Sequence, residues 1–199
     1  MVRINPAQTN LFDAKQVSQE DTIKDRLRHL FLLRHGDYDI LSKDKGLSEE
    51  GYKQADRLGK YLRNTLYPST DRIAIVCSDV LRAAQTARKI GEYFGLTPEE
   101  HAALFAERDL RDAQTQAIDD LFDGLRRKNE IIIAVSHMPI VEGYSRHFLI
   151  KELNIQDKIR DIEKGRGIDF NLEDRTYTRF PPVQEVPEVK NTQQGETLF

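Results

Sequence analysis

Three short runs of consecutive apolar residues punctuate the chain: His29-Leu30-Phe31-Leu32-Leu33, Ile73-Ala74-Ile75-Val76-Cys77 and Ile131-Ile132-Ile133-Ala134-Val135. Runs this short, apolar at successive positions, predict strands covered on both faces of a sheet. Between them the period changes. Ser48 is placed as a helix N-cap, with Leu47 and Tyr52 at the spacing of a hydrophobic staple. Ala55, Leu58, Leu62 and Leu66 then follow helical spacing up to Pro68. After the second run, Ser78-Asp79 offers caps for a helix whose inner stripe is Leu81, Ala84, Ala87, Ile90, Gly91 and Phe94, with Gly95 as its stop. Residues 104–106 suit a short edge strand and 115–128 a helix. After the third run, Pro139 suits the first turn of a helix reaching about Leu149. Segments 168–172 and 176–180, joined by Glu173-Asp174-Arg175, have the form of a β-hairpin.

Strands alternating with helices predict a largely parallel sheet with helices on both faces, an α/β fold in the form of a three-layer α/β/α sandwich. In such sheets the ligand site lies beyond the carboxyl ends of the strands. The three strongest strands run into Arg34-His35-Gly36, Ser78-Asp79 and Ser136-His137. Two histidines and several polar groups therefore converge where a ligand is expected. Residues 1–27 are polar, allow only a short helix near 20–27, and read as an extension. Residues 28–182 form the domain, and 183–199 a proline-punctuated tail expected to be mobile.

Composition narrows the classes without choosing one. At 199 residues the chain is the size of one domain, and 39% hydrophobic with 32% charged residues is ordinary for a soluble protein. A net charge of -3 gives no overall pull towards nucleic acid or an anionic membrane. No apolar run approaches bilayer-spanning length, and the N-terminus lacks the basic and apolar segments of a secretory signal. Cys77 is the sole cysteine, so an internal disulfide and a multi-cysteine metal site are both excluded. A cytoplasmic location is expected.

The convergent residues suit phosphoryl transfer, which needs a nucleophile in line with the leaving group and donors around the equatorial oxygens. His35 supplies an imidazole nitrogen that is nucleophilic near neutral pH. Arg34 and Arg82 offer forked donors that match phosphate, and His137 can add an N–H from the other side. These cations should disfavour protonation of His35. Helix N-termini after Ser78 and at Pro139 would favour an anion. Each residue also has a plainer reading. Arginines usually pair at the surface, His137 could be an interior histidine, and Ser78 could be an N-cap or a support for the site. Gln85 and Thr86 are expected to pack or hydrogen-bond within their helix rather than touch substrate, and His29, His101 and His147 to be structural or exposed. No Gly-x-Ser-x-Gly elbow accompanies Ser136-His137, which argues against a serine hydrolase. His35 and His137 could ligate a metal, but Arg34 and Arg82 would repel it and no carboxylate cluster surrounds them.

Leu33-Arg34-His35-Gly36 after an apolar strand resembles the signature of the histidine phosphatase (phosphoglycerate-mutase-like) superfamily. Leu47-Ser48-Glu49-Glu50-Gly51 with Gln54-Ala55 resembles its next block, Ser78 to Ala87 its second arginine motif, and Val135-Ser136-His137 its second histidine. The four blocks occur in the family's order across residues 29–150. The resemblance implies a phosphohistidine intermediate at His35, a phosphate pocket of Arg34, Arg82 and His137, and no cofactor or metal. It also implies a carboxylate after the second arginine motif as general acid. Glu107 and Asp109 lie in that region, with Glu107 slightly favoured. Asp37-Tyr38-Asp39 stands where many members carry an asparagine, which points away from the sugar-phosphate mutases.

Between Leu110 and Ile131 there is room for one helix, not an elaborate lid. The short form resembles the small phosphohistidine phosphatases, and residues 28–39 resemble the mutase-like protein serine/threonine phosphatases of mitochondria. The expected substrate is a phosphorylated one, with phosphoprotein (phosphohistidine or phosphoserine/threonine) as the leading class. The alternatives are a catalytically weak phosphoprotein-binding domain and a small-metabolite phosphatase or mutase.

Overall fold

The computed structural model describes residues 27–41, 43–66 and 72–181. Most of the expected N-terminal extension, including nearly all of the short helix near 20–27, and the tail from 183 lie outside the described residues. Leu27, counted with the extension, is buried in the core.

Among the described residues six strands form one sheet: β1 (His29–Arg34), β2 (Ile73–Cys77), β3 (Glu99–Glu100), β4 (Ile131–Ser136), β5 (Gly167–Asn171) and β6 (Thr176–Phe180). Their order is β3-β2-β4-β1-β5-β6. β4 lies between β1 and β2 and is parallel to both. The hairpin β5–β6 joins antiparallel through β1. The described α-helices that cover the sheet are α1 (Glu49–Thr65), α2 (Leu81–Glu92), α3 (Asp112–Arg126) and α4 (Met138–Phe148).

The alternation of side chains along each strand divides the core. Leu30, Leu32, Ile132 and Ala134 pack with Ile118 and Phe122 of α3 and with Ile140, Tyr144 and Phe148 of α4. Phe31, Leu33, Ile133 and Val135 pack on the other face with Leu58 and Leu62 of α1 and Ala83, Ala87 and Ile90 of α2. A strand apolar at every position is what two covered faces require. The architecture is the expected three-layer sandwich with a mostly parallel sheet.

Three expectations change in detail. Residues 104–106 are not an edge strand. Glu99–Glu100 takes that place beside Val76 and Cys77, and Ala102–Leu104 forms a 3₁₀ turn. Leu104 is fully buried and its carbonyl accepts the Ser136 hydroxyl at 2.6 Å, so the segment dives inward instead of following the edge. In α2 the buried face includes Ala83 and Thr86, while Leu81 is 37% exposed. The N-cap of α2 is Val80 rather than Ser78 or Asp79; Ser78 Oγ accepts the Val80 N–H at 3.2 Å from just outside the helix. Ser48 does cap α1, accepting the Gly51 N–H at 3.1 Å, a contact of about 1 kcal/mol. Pro139 lies in the first turn of α4, and Asn154, in the left-handed region, ends the π-helical turn Leu149–Leu153 that follows. Among the described residues no helix is long and apolar enough to cross a membrane.

Candidate active site

Register brings the site together. Arg34 of β1 is opposite Ser136 of β4, and Cys77 of β2 is opposite Val135. The ladder runs one residue further on each side, with the His35 N–H bonded to the Ser136 carbonyl and the Ser78 N–H to the Val135 carbonyl, both at 3.0 Å. His35, Ser78 and His137 therefore leave the sheet at one level, and their neighbouring strands hold that level fixed.

The chain after β1 must then turn sharply across the start of α1, and two glycines make this fit. A Cβ on Gly36 would lie 2.6 Å from the Gly51 carbonyl oxygen, and one on Gly51 would lie 1.9 Å from the Asp37 oxygen. The crossing is fixed by polar contacts from two helices. Gln54 Oε1 accepts the Asp37 N–H at 2.7 Å, and Ser48 donates to the Asp37 carboxylate at 3.1 Å. Thr86 accepts the Gly36 N–H at 3.1 Å and donates to the Arg82 carbonyl one turn earlier. Gln85 accepts the Leu47 N–H at 2.7 Å, so Gln85 and Thr86 reach out of their helix to two loops, where bonding within the helix was expected. Thus the Leu-Ser-Glu-Glu-Gly block and the second arginine motif both shape the loop that carries His35.

The two histidines are buried to 4% exposure, with ring centres 4.9 Å apart. His35 Nδ1 lies 2.7 Å from the Gly36 carbonyl. A carbonyl only accepts, so Nδ1 carries the proton and Nε2 keeps its lone pair. Arg82 Nε donates to that Nε2 at 3.0 Å, and its Nη2 lies 3.3 Å from His137 Nδ1. Arginine has no acceptor, so His137 Nδ1 accepts and its Nε2–H donates to Ser78 Oγ at 3.1 Å. This differs from the simplest expectation for His137. Its N–H is spent on Ser78, so donating to a phosphate requires a proton on Nδ1 as well. Ser78 is thereby a support for His137, one of the two roles open to it in the sequence.

Burial pushes the His35 imidazolium down to about pKa 4, with the Arg82, Arg34 and Lys164 charges adding to the effect. His137 falls to about 3, again first by burial and then through His35, Arg82 and Arg34. The cations act in the expected direction, but desolvation is the larger cause. Both rings are neutral at pH 7. Arg34 donates from Nη1 to the Ile162 carbonyl at 2.8 Å, whereas its buried Nε has no hydrogen-bond partner among the described residues.

Other side chains join the pocket that no motif marked. Tyr38 lies edge-on to His35 at 5.5 Å, with the Arg82 guanidinium 4.7 Å and the Lys164 ammonium 4.4 Å from its ring centre. Lys164 pairs with Asp37 at 2.5 Å. The turn bearing Lys164 is held because the Gly165 N–H reaches the Arg34 and His35 carbonyls at 3.2 and 3.1 Å. Gly165 has φ 68°, and a Cβ there would also strike Gln54 at 2.7 Å. The sequence signal was faint: a Lys-Gly-Arg-Gly turn just ahead of the hairpin. Phe105 packs edge-on to His137 at 5.0 Å. Two and four residues beyond it, Glu107 and Asp109 lie in an exposed bend, and no hydrogen bond ties either to the pocket among the described residues. Both line a groove with Met138 and Glu142. His29 pairs with Asp169 and His147 with Asp119, in structural roles. Among the described residues no group of three or more His, Cys, Asp or Glu is placed to hold a metal ion.

A mostly parallel α/β sheet with two neutral histidines and two arginines at its carboxyl edge is an arrangement suited to holding a phosphoryl group. The chain belongs to the histidine phosphatase superfamily (branch 1), whose family model matches residues 30–130. That segment includes Arg34, His35, Arg82 and Glu107; His137 lies beyond it and is joined by the fold. Over 81 residues the chain is 36% identical to the serine/threonine-protein phosphatase Pgam5, mitochondrial, of Caenorhabditis briggsae. The match covers 40% of this chain and 28% of that protein, so this chain spans little more than a quarter of its relative. In structure it is similar to the protein histidine phosphatase SixA complexed with tungstate, with TM-score 0.56, 19% identity, and 76% and 93% of the two chains covered. It is also similar to a phosphoglycerate mutase of Plasmodium falciparum, with TM-score 0.51, 22% identity and 86% and 98% covered. At these identities the likeness concerns the fold.

Proposed function

We propose that this chain is a metal-independent phosphatase that passes a phosphoryl group from a phosphorylated protein to His35 and then to water. The observation that carries the reading is the unprotonated Nε2 of His35, fixed by the Nδ1–H bond to Gly36 and accepting from Arg82 Nε. Nε2 attacks phosphorus, the N–P bond forms, and the bond to the leaving group breaks. As the phosphoryl group arrives, the Arg82 donors move from the imidazole lone pair to phosphate oxygens, and the unpartnered Arg34 Nε takes another. Water then attacks phosphorus and loses a proton to solvent, the N–P bond breaks, and Nε2 recovers its lone pair. Charge developing on the oxygens is met by fixed donors in a largely desolvated site, where such contacts count most.

The leaving group needs a proton unless it is already a good leaving group. Glu107 is the proposed donor, reaching the pocket from its exposed bend when substrate is bound. A phosphohistidine substrate makes less demand on it than phosphoserine. Among the described residues no bond ties Glu107 or Asp109 to the pocket, which favours one second reading: a domain that binds phosphoprotein but turns it over slowly.

The test is phosphate release from an aryl phosphate by metal-free protein in the presence of a chelator. We expect turnover that His35→Ala abolishes, by about 10³-fold or more. Activity that appears only after metal addition would refute the reading. Phosphopeptide binding without turnover would favour the second one.

A further inference from the structure

Tyr38, whose ring meets His35 and the Arg82 guanidinium, also lines a second cavity of about 780 Å³, within the size range of ligand sites. Its character is opposite to that of the pocket. The phosphate side is cationic, with Arg34, Arg82 and Lys164 around the histidines. Among the described residues, the second cavity is lined by the carboxylates of Asp37, Asp39, Asp44 and Glu49 and by no cationic side chain. Asp37 is neutralised by Lys164, and Glu49 pairs with the exposed Lys53. Asp39 and Asp44 are the lining carboxylates left outside these pairs. Lys43 and Lys45 belong to the same loop but do not line the cavity.

The rest of the lining is apolar and exposed. Ile40 is 68% exposed, Leu41 95% and Leu81 37%; these are three of the seven large apolar side chains exposed among the described residues. Apolar side chains gathered beside a polar site mark a contact surface more often than chance exposure does. The outward position of Leu81, contrary to the helical stripe, supplies one wall.

Resting on the phosphatase reading, we infer that this cavity is a substrate-recognition site for the protein segment flanking the phosphorylated residue, and that it selects a segment carrying a basic and an apolar side chain. Charge complementarity commits the occupant. A phosphate seated on His35 and Arg82 places the neighbouring residues of its chain against Tyr38, Asp39 and Leu41. A cationic side chain there meets Asp39 and Asp44, which pair with no cation among the described residues, and an apolar one meets Ile40, Leu41 and Leu81. A small metabolite with a second anionic group would instead face those carboxylates and be disfavoured. The same feature thus separates protein substrates from polyanionic metabolites, as like charges disfavour the wrong partner.

The test uses phosphopeptides of one length that differ only beside the phosphorylated residue, with Lys and Leu in one and Glu and Ser in the other. Each is made with phosphohistidine and with phosphoserine. For at least one phosphorylated residue, kcat/KM should favour the basic, apolar peptide by about tenfold. The combined variant Asp39→Asn, Asp44→Asn, Leu41→Ser should bring that ratio close to one while leaving aryl phosphate turnover unchanged. In Asp39→Asn the amide keeps an oxygen in place of the carboxylate one that accepts the Leu41 N–H at 2.9 Å, so the loop keeps its turn. Equal use of the two peptides by the wild type, or a ratio that survives in the variant, would overturn the inference. Failure of the wild type to hydrolyse aryl phosphate would instead refute the phosphatase reading beneath it.

Discussion

His35 and Glu107 belong to opposite sides of one proposed reaction and are built in opposite ways. His35 is nearly inaccessible, its tautomer is set by a carbonyl, and its neighbours are bonded to α1, α2 and the turn at Gly165. Glu107 lies in an exposed bend without a hydrogen bond to the pocket among the described residues. The proposed nucleophile and phosphate receptor are organised before substrate arrives, whereas the proposed proton donor is not. Preorganised donors give most of their benefit in the transition state because they need no rearrangement. A donor that must first be ordered gives less, and its contribution depends on the leaving group.

The sharpest way to break that comparison is to remove a fixed donor. Arg82→Ala should lower kcat/KM on aryl phosphate by about 10²–10³-fold, the scale of losing a preorganised donor. Arg82→Lys should recover little, because an ammonium cannot serve both His35 Nε2 and the His137 side as the guanidinium does. A loss of only a few-fold in Arg82→Ala would show that the pocket is not organised around it.

Protonation offers a second test. With folded pKa values of about 4 for His35 and about 3 for His137, both rings should remain neutral in imidazole NMR spectra down to pH 5. In the unfolded chain they protonate near pH 6.5. Below that value the unfolded state binds more protons than the folded state, so their contribution to stability falls progressively as the pH drops from about 6.5 towards 4 and 3. His35→Asn should flatten part of that slope in denaturant titrations. Titration of both rings near pH 6.5 in the folded protein would contradict the buried, neutral pair.

The smallest effect is expected on the other side of the pocket. Glu107→Gln should reduce aryl phosphate turnover by less than about tenfold, because an aryl oxide leaves readily without protonation. A loss as large as that of Arg82→Ala would show that the acid is as firmly organised as the nucleophile.

Much of this contrast was visible in the sequence. The three apolar runs occur as β1, β2 and β4, and their parallel register sets His35, Ser78 and His137 at one edge. Local patterns carried that information because a strand covered on both faces must be apolar throughout. Lys164 escaped notice because 127 residues separate it from its partner Asp37, and its turn has no apolar period. In the sequence Tyr38 stands only in the Asp37-Tyr38-Asp39 departure from the family pattern, and the approach of Arg82 and Lys164 to its ring joins segments far apart in the chain. The expected 104–106 strand failed because Leu104 is drawn into the core, a tertiary demand that three residues of local pattern cannot express.

The most direct measurement is the site of phosphorylation during turnover. Rapid quenching of the wild-type protein with aryl phosphate at alkaline pH should trap one acid-labile, alkali-stable phosphoryl group. Peptide mapping should place it on His35, and His35→Ala should carry none. A phosphoryl group trapped on any other residue, or turnover with a demonstrated direct displacement by water, would contradict the account.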